Sequence, residues 1–126
     1  FRNNGSLPKS FLYAFEGIAY ALRTQRNLRI HFLLGTIAFT LGLVLNLKYI
    51  DLAVLVLTIS LVLLLELINT AIEAVVDLSV GRRFHPLAKV AKDCSAASVL
   101  LAAMTSIVIA VLILLPPLFS LIGLNN

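Results

Sequence analysis

Apolar residues dominate three long segments of the chain, with short polar stretches between them. No charged residue occurs in residues 32–47, 52–65 or 94–126. A helix that crosses the hydrocarbon layer of a membrane needs about 20 predominantly apolar residues. The pattern therefore predicts three membrane-spanning helices, at about residues 30–47, 51–77 and 94–115.

A different periodicity precedes the first span. The charged residues of this segment fall off a stripe of apolar residues at helical spacing, which is formed by Phe11, Phe15, Ile18 and Leu22. A helix with one apolar and one polar face lies in the plane of the membrane surface and turns its apolar face to the lipid. We predict an amphipathic surface helix at about residues 7–29.

The third apolar run is longer than one span requires. Proline lacks an amide hydrogen and disfavours helix at the residue before it, so Pro116 and Pro117 predict the end of the span at residue 115. Four small residues also share one helical face in this span, namely Ser98, Ala102, Ser106 and Ala110. Such a stripe lets membrane helices approach closely. Its spacing is equally compatible with packing inside the chain and with a contact between subunits.

The composition agrees with lipid as the solvent for most of the chain. Of the 126 residues 60% are hydrophobic and 13% are charged, and the mean hydropathy is +1.03. An ordinary soluble domain carries about 25% charged residues. We predict a single all-α membrane domain over residues 1–126. No convincing small-residue cleavage site follows an apolar segment, so a secretory signal peptide is not expected.

The basic residues predict the orientation of the chain. Ten Lys and Arg residues against six acidic ones give a net charge of +4. Nine of the ten Lys and Arg residues, all except Lys48, either precede the first span or lie between the second and third spans. Because loops rich in Lys and Arg face the cytoplasm, we predict a multi-pass protein of the inner (plasma) membrane with a cytoplasmic N-terminus and a cytoplasmic 78–92 loop. The positive charge thus indicates topology, and no nucleic-acid partner is expected.

Half of the negative charge lies in the stretch "ELINTAIEAVVD", at the end of the second span. Glu66, Asn69, Glu73 and Asp77 follow one another at steps of three, four and four residues. This spacing places them within an arc of roughly 80° on one helical face, in a stripe about 16 Å long. Glu66 lies about 22 Å along the helix from Asp51, which places it in the cytoplasmic half of the membrane. The stripe therefore runs from the bilayer towards the cytosol.

Two interpretations of this acidic stripe stay open on spacing alone. Its carboxylates could simply pair with cations such as Arg29 and Lys92. Ionisable residues inside spans are costly and usually functional, however, which favours a general base at Glu66. His31 is interpreted as packing at the membrane interface.

The loop before the third span adds basic and acidic groups in "HPLAKVAKD". His85, Lys89, Lys92 and Asp93 could form, with the acidic stripe, a site for phosphate and a divalent cation. Two structural alternatives stay open, because Asp93 could cap the third helix and Lys92 could anchor it at the membrane edge. The chain has no G-x-x-x-x-G-K-[ST] loop, no kinase glycine-rich loop and no Cys/His set spaced for structural zinc.

Together "ELINTAIEAVVD" and "HPLAKVAKDCSAASVLLAA" resemble the small prokaryotic diacylglycerol kinase family, the integral-membrane lipid kinases that include undecaprenol kinases. The resemblance covers about residues 7–115, and E-x-x-N-x-x-x-E-x-x-x-D followed by A-K-D is a strong signature. "RNLRIH" and "HPLAK" look closer to the undecaprenol kinases of Gram-positive bacteria and to cyanobacterial relatives. The resemblance implies a homotrimer with active sites between subunits. It also implies transfer of the γ-phosphoryl group of ATP, with Mg²⁺, to the hydroxyl of diacylglycerol or undecaprenol.

The resemblance also implies a role for each matching residue. Glu66 resembles the catalytic base, Asn69 the residue that orients the site, and Glu73 a metal ligand. The residues that match positions around the nucleotide are Tyr13, Asp77, His85, Lys92 and Asp93. Gly17 matches a family position as well. Gln25 stands where familiar members have a metal-binding glutamate, and an amide brings an oxygen ligand without charge.

Two other functions compete with the lipid kinase. A small cation or proton carrier would use the carboxylates as a relay and would need a polar path across the whole bilayer. A catalytically silent assembly subunit is conceivable because of Gln25. The sequence does not distinguish diacylglycerol from undecaprenol.

Overall fold

Four α-helices make up the chain in the computed structural model, which describes residues 6–123 of the predicted 1–126 domain. They are α1 (Leu7–Thr24), α2 (Arg26–Val44), α3 (Tyr49–Val80) and α4 (Pro86–Leu121). α2, α3 and α4 are long and apolar enough to cross a membrane. The predicted all-α membrane architecture with three spans is thereby confirmed, whereas the attachment of α1 to a membrane surface stays a prediction.

The first helix ends earlier than the predicted boundary at residue 29. Gln25 is extended, with φ −110° and ψ 106°, and separates α1 from α2. The Arg29 guanidinium reaches back and donates to the carbonyls of Leu22 at 2.8 Å and Arg23 at 3.0 Å. Carbonyls in the last turn of a helix lack intrahelical donors, so this contact stabilises the break. Arg29 therefore caps α1 and, among the described residues, does not pair with the acidic stripe. Of the two cations suggested as partners of that stripe, Arg29 and Lys92, Lys92 forms the pair.

Close packing of α2 on α3 depends on a glycine. The buried residues of α2 are Leu28, Gly35 and Gly42, which recur every seven residues and so form one face. A Cβ atom at Gly35 would lie 2.6 Å from Ile59 Cγ2, a branch carbon fixed close to the backbone of α3. The chain then turns at Asn46, whose φ of 55° is in the left-handed region that asparagine tolerates.

We expect Gly35→Ala to destabilise the protein by about 1–3 kcal/mol, because overpacking a close helix contact forces backbone or side-chain shifts. Thermal unfolding in detergent micelles, followed by far-ultraviolet circular dichroism, would measure the effect. Gly17→Ala is the matched control, since nothing lies within 4 Å of a Cβ atom there. When Gly35→Ala is introduced into the Ile59→Ala variant, it should destabilise that variant much less, because the side chain that the new Cβ atom contacts has been removed. Equal unfolding temperatures for Gly35→Ala and the wild type would contradict this account of the interface.

The fourth helix begins eight residues before the predicted span. Pro86 occupies its first turn, and His85 is the N-cap, with Nδ1 accepting from the Leu87 amide at 3.1 Å. The proposed capping role of Asp93 is therefore wrong, because Asp93 lies two turns inside the helix. Proline suits the first helical turn, where its missing N–H would have no partner anyway, and this explains the earlier start.

The helix that contains the third span does not end at residue 115, although the end of the span itself stays a prediction. α4 continues through Pro116 and Pro117 to Leu121. Proline has a helical φ and costs a missing N–H and a ring clash, which neighbouring groups in membrane helices can offset. The helix is therefore only weakened at this point, and it continues for about one further turn.

The packing of α4 on α3 is the most extensive between any two helices in the described part of the chain. Ser95, Val99 and Ala102 form the buried face of α4. Ala102 is one of the four small residues predicted to allow a close approach, and the other three are half-buried. Part of that stripe therefore serves packing inside the chain. A subunit contact through its remaining residues stays a prediction.

Candidate active site

Glu66 is a buried carboxylate in an apolar helix interface. It continues the buried face of α3 that begins with Leu55, Thr58 and Val62, and 5% of the residue is exposed. Its Oε1 lies 3.0 Å from Nδ1 of His31 on α2. Nδ1 is buried and makes no well-aligned hydrogen bond within the described residues. The pair is therefore a close contact between an imidazole and a carboxylate.

A polar pocket of about 300 Å³ opens beside this pair and is called the Glu66 pocket below. Its polar lining comes from α2, α3 and the break before α2, and consists of Gln25, Asn27, His31, Glu66, Asn69 and Thr70. Glu66 Oε2 and Asn69 Oδ1 are buried without a hydrogen-bond partner. Unpaired buried polar atoms are rare in folded proteins and require an explanation. These two acceptors are placed to receive a donor from a ligand.

An apolar groove adjoins the Glu66 pocket. The two cavities share His31 and Ala103. The groove is bounded by α2, α3 and α4, and its walls include Leu34, Gly35, Leu55, Val62, Ile107 and Ala110. Thr58 is a polar group in this wall, and its hydroxyl is already used because it donates to the Val54 carbonyl at 2.7 Å. A hydrogen-bonding pocket thus adjoins a hydrocarbon-lined one.

Asn69 joins Glu73 to the Glu66 pocket. Its Nδ2 donates to Glu73 Oε1 at 3.2 Å, which fixes the amide with Oδ1 available as an acceptor. The two residues lie one turn apart on α3, where side chains four residues apart meet. The carboxylate of Glu73 is half-buried and marks the point at which the acidic stripe leaves the apolar interior.

A second hollow, called the loop hollow below, lies between the end of α3 and the start of α4. Lys92 Nζ contacts Asp77 Oδ1 at 2.6 Å, and Lys89 pairs with Asp93 one turn apart on α4. All four side chains are substantially exposed. His85, Arg82 and Arg83 also line this hollow. Its basic groups outnumber its acidic ones, which suits a phosphorylated ligand.

The residues predicted from sequence divide between these two cavities. Gln25, Glu66 and Asn69 line the Glu66 pocket, and Glu73 is joined to it through Asn69. The loop hollow brings together Asp77, His85, Lys92 and Asp93. Tyr13 is half-buried on α1 and lines neither cavity. Within residues 6–123 no three His, Cys, Asp or Glu side chains are grouped as a metal site, so Glu73 and Gln25 as metal ligands stay predictions.

Sequence reasoning missed three residues of the Glu66 pocket: Asn27, His31 and Thr70. A signal was available for His31, because it is an ionisable residue within the predicted first span, and the rule that singled out Glu66 applies to it equally. Its assignment to interfacial packing is corrected by the 3.0 Å contact with Glu66. Asn27 and Thr70 carried no comparable signal, since their role depends on how α2 meets α3.

Comparison with known proteins gives consistent matches. The prokaryotic diacylglycerol kinase family matches residues 12–114. A diacylglycerol kinase of Synechocystis is 53% identical over 116 residues, 92% of this chain, which spans 66% of that relative's length. An undecaprenol kinase of Bacillus subtilis is 41% identical over 110 residues, and the match covers 87% of this chain and 89% of that kinase. A diacylglycerol kinase of Escherichia coli is 30% identical over 96 residues, with coverage of 76% and 78%.

Proposed function

The chain belongs to the prokaryotic diacylglycerol kinase family, a family of lipid kinases, and from that premise we propose that it transfers the γ-phosphoryl group of ATP to the hydroxyl of a membrane lipid. The relatives are named for two alcohols with long hydrocarbon chains, diacylglycerol and undecaprenol. One observation carries the proposal: the Glu66 pocket adjoins the apolar groove, and His31 and Ala103 line both. A carboxylate beside a hydrocarbon-lined groove suits a substrate with a polar hydroxyl and an apolar tail.

In the proposed reaction Glu66 is the general base. Its unpaired Oε2 accepts the proton of the lipid hydroxyl while the hydroxyl oxygen forms a bond to the γ-phosphorus. The bond between that phosphorus and the β–γ bridging oxygen breaks, and ADP leaves with the electron pair. General-base catalysis typically raises the rate of such a step by roughly 10²–10⁴-fold. Glu66 is buried beside the apolar groove, so a lipid whose tail occupies the groove would bring its hydroxyl to the carboxylate.

We place the nucleotide along the acidic stripe, with its phosphate chain extending from the loop hollow past Glu73 towards the Glu66 pocket, where the γ-phosphoryl group would meet the lipid hydroxyl. The Lys92 ammonium can offset charge that builds on the transferring phosphoryl oxygens, as basic groups do in phosphoryl transfer. Asp77 holds Lys92 at 2.6 Å and thereby orients it. His85 and Asp93 line the same hollow, and we keep Tyr13 as a nucleotide contact from the family resemblance.

The residues present fit Mg²⁺ as the proposed cofactor. Mg²⁺ prefers oxygen ligands and is usually bound through one or two carboxylates together with substrate phosphates. This chain offers the Glu73 carboxylate, the free Asn69 Oδ1 and the Gln25 amide at or beside one pocket. Bound there, Mg²⁺ would neutralise phosphate charge and orient the γ-phosphoryl group. Gln25 contributes no charge, so Glu73 would carry the electrostatic part of the binding.

We further propose that the enzyme is a homotrimer with a cytoplasmic active face in the inner (plasma) membrane. The family resemblance and the distribution of basic residues support this arrangement. Both cavities are open in the single chain. Four helices are few to enclose both a nucleotide and a lipid, and a neighbouring subunit would complete the walls.

The carrier and the silent subunit have weaker support. A carrier needs a polar path through the outer half of the membrane. There the Thr36 and Thr40 hydroxyls donate to carbonyls of their own helix at 2.8 Å, as the Thr58 hydroxyl does at 2.7 Å, and none of these groups ionises. The relatives described above are named as kinases. The proposed base Glu66 and the proposed phosphate-binding Lys92 are both present in this chain, which disfavours a silent subunit.

The test of the proposed function is label transfer from γ-labelled ATP in mixed micelles that contain diacylglycerol or undecaprenol. We expect label in at least one lipid when Mg²⁺ is present and none when a chelator removes it. A known kinase of the family serves as the positive control. If that control is active and the folded protein labels neither lipid, lipid phosphorylation is the wrong activity. Equal labelling with the chelator would leave the kinase but remove the Mg²⁺ requirement.

A further inference from the structure

His31 is paired with Glu66, although no role for it follows from the acidic stripe. Within residues 6–123 no Lys or Arg side chain forms an ion pair with Glu66, and His31 supplies its ionisable contact. The imidazole side chain is 25% exposed and the carboxylate 6%. The pair therefore lies mostly out of solvent, where the position of a carboxylate depends on the groups that contact it.

The two oxygens of Glu66 have different surroundings. Oε1 lies 3.0 Å from His31 Nδ1, whereas Oε2 is buried and has no hydrogen-bond partner. A neutral imidazole with its proton on Nδ1 is a donor at that atom. Nδ1 makes no aligned hydrogen bond among the residues that the structure describes, but at 3.0 Å a small rotation of the ring would direct the donor at Oε1 and hold it. Rotation of the carboxylate is then restricted, and Oε2 is left as the oxygen that can accept a proton.

We propose that His31 is a positioning residue that holds Glu66 Oε1 so that Oε2 stays directed at the substrate hydroxyl. The inference rests on the proposed function of Glu66 as general base. His31 also borders the apolar groove, which makes it a common wall of the two cavities. Its ring is thus placed to fix the carboxylate at the point where a lipid hydroxyl would pass from the groove into the pocket.

The consequence is an effect on the chemical step rather than on binding. A carboxylate that is free to rotate spends less time in the orientation that accepts the proton, and a misplacement of about 1 Å can cost on the order of 100-fold in rate. The nucleotide is proposed to extend from the loop hollow, which His31 does not line. A change at His31 should accordingly alter kcat and leave the KM for ATP unchanged.

The kinetic test compares two substitutions of His31. His31→Leu keeps an apolar side chain of moderate size but has no donor, and we expect kcat to fall on the order of 100-fold. His31→Asn places an amide N–H near the position of Nδ1 and should recover most of that loss. Thr40→Val, on the same helix and outside both cavities, is the matched control and should keep wild-type kinetics. Wild-type kcat in His31→Leu, or equal loss in Leu and Asn, would overturn the inference.

A second readout does not depend on activity. ¹⁵N NMR of histidine-labelled protein reports which ring nitrogen carries the proton, and His31→Asn assigns the signals. We expect the Nδ1–H tautomer at His31 in the wild type and loss of that preference in Glu66→Leu, which removes the acceptor at Oε1. An unchanged tautomer in Glu66→Leu would overturn the inference whatever the kinetics show. If the coupling is seen but no lipid is labelled, the pair stands and the proposed function fails instead.

Discussion

Replacing Glu66 with glutamine should reduce phosphoryl transfer to lipid by about 10²–10⁴-fold, the contribution usual for a general base. Glutamine has nearly the same shape as glutamate but does not accept a proton at neutral pH. The buried position should tolerate it, because a neutral amide carries no penalty for the burial of charge. The expected phenotype is therefore a folded protein with unchanged KM for ATP and very low kcat.

The measurement is initial-rate label transfer in mixed micelles, with far-ultraviolet circular dichroism as the check of folding. Glu16→Gln is the matched control, since Glu16 is an exposed glutamate on α1 that lines none of the cavities described above. It should behave as the wild type. Wild-type rates in Glu66→Gln would remove Glu66 from the chemistry, and loss of helicity would assign it a structural role.

The burial gradient along α3 explains why one helix can serve both reactants. The Glu66 side chain is 6% exposed, whereas the Asp77 side chain, three turns further along, is 60% exposed. The base thus lies where a lipid hydroxyl can reach it without competing water. The charged groups of the loop hollow lie where ATP arrives from the aqueous phase. α3 is about 48 Å long at the usual helical rise, which exceeds a ~30 Å hydrocarbon layer and lets one helix connect the two environments.

The spans were predictable because lipid imposes a simple demand on sequence. About 20 apolar residues are needed to cross; the third uncharged run exceeds that length, and residues 32–47 and 52–65 approach it once flanking residues are included. The ends of the helices were not predictable in the same way. The break at Gln25 has no glycine or proline to announce it and depends on Arg29 reaching back across the gap. The start of α4 is set by His85 and Pro86, a local signal that the uncharged run beginning at residue 94 obscured.

Only the part of the candidate site that lies on a single helix could be predicted from the sequence. Steps of three and four residues put Glu66, Asn69 and Glu73 on one face, and the structure places Glu66 and Asn69 at one pocket, with Glu73 hydrogen-bonded to Asn69. The contact of His31 with Glu66 joins two helices and has no periodicity that would reveal it. Periodicity likewise does not reveal that the site residues are divided between two cavities. Asp77 belongs to the acidic stripe by spacing, yet its partner Lys92 is on α4, which places it in the loop hollow.

Replacing Lys92 with methionine should lower kcat for phosphoryl transfer by about 10²–10³-fold, comparable to removal of one preorganised donor from a transition state. Methionine keeps the length and the apolar stem of lysine and removes the charge. Lys48→Met is the control, because Lys48 lies in the turn between α2 and α3, away from both cavities. Its rate should equal that of the wild type in the same micelle assay.

The size of the Lys92 effect decides between a chemical and a structural role. Lys92 pairs with Asp77 at 2.6 Å, but both side chains are substantially exposed, and an exposed ion pair contributes little because water and salt screen it. Loss of the pair alone therefore cannot account for a hundredfold decrease. Asp77→Asn removes the pair and keeps the ammonium, so we expect it to cost much less than Lys92→Met. Equal, small losses in the two variants would instead make Lys92 an anchor of α4 at the membrane edge.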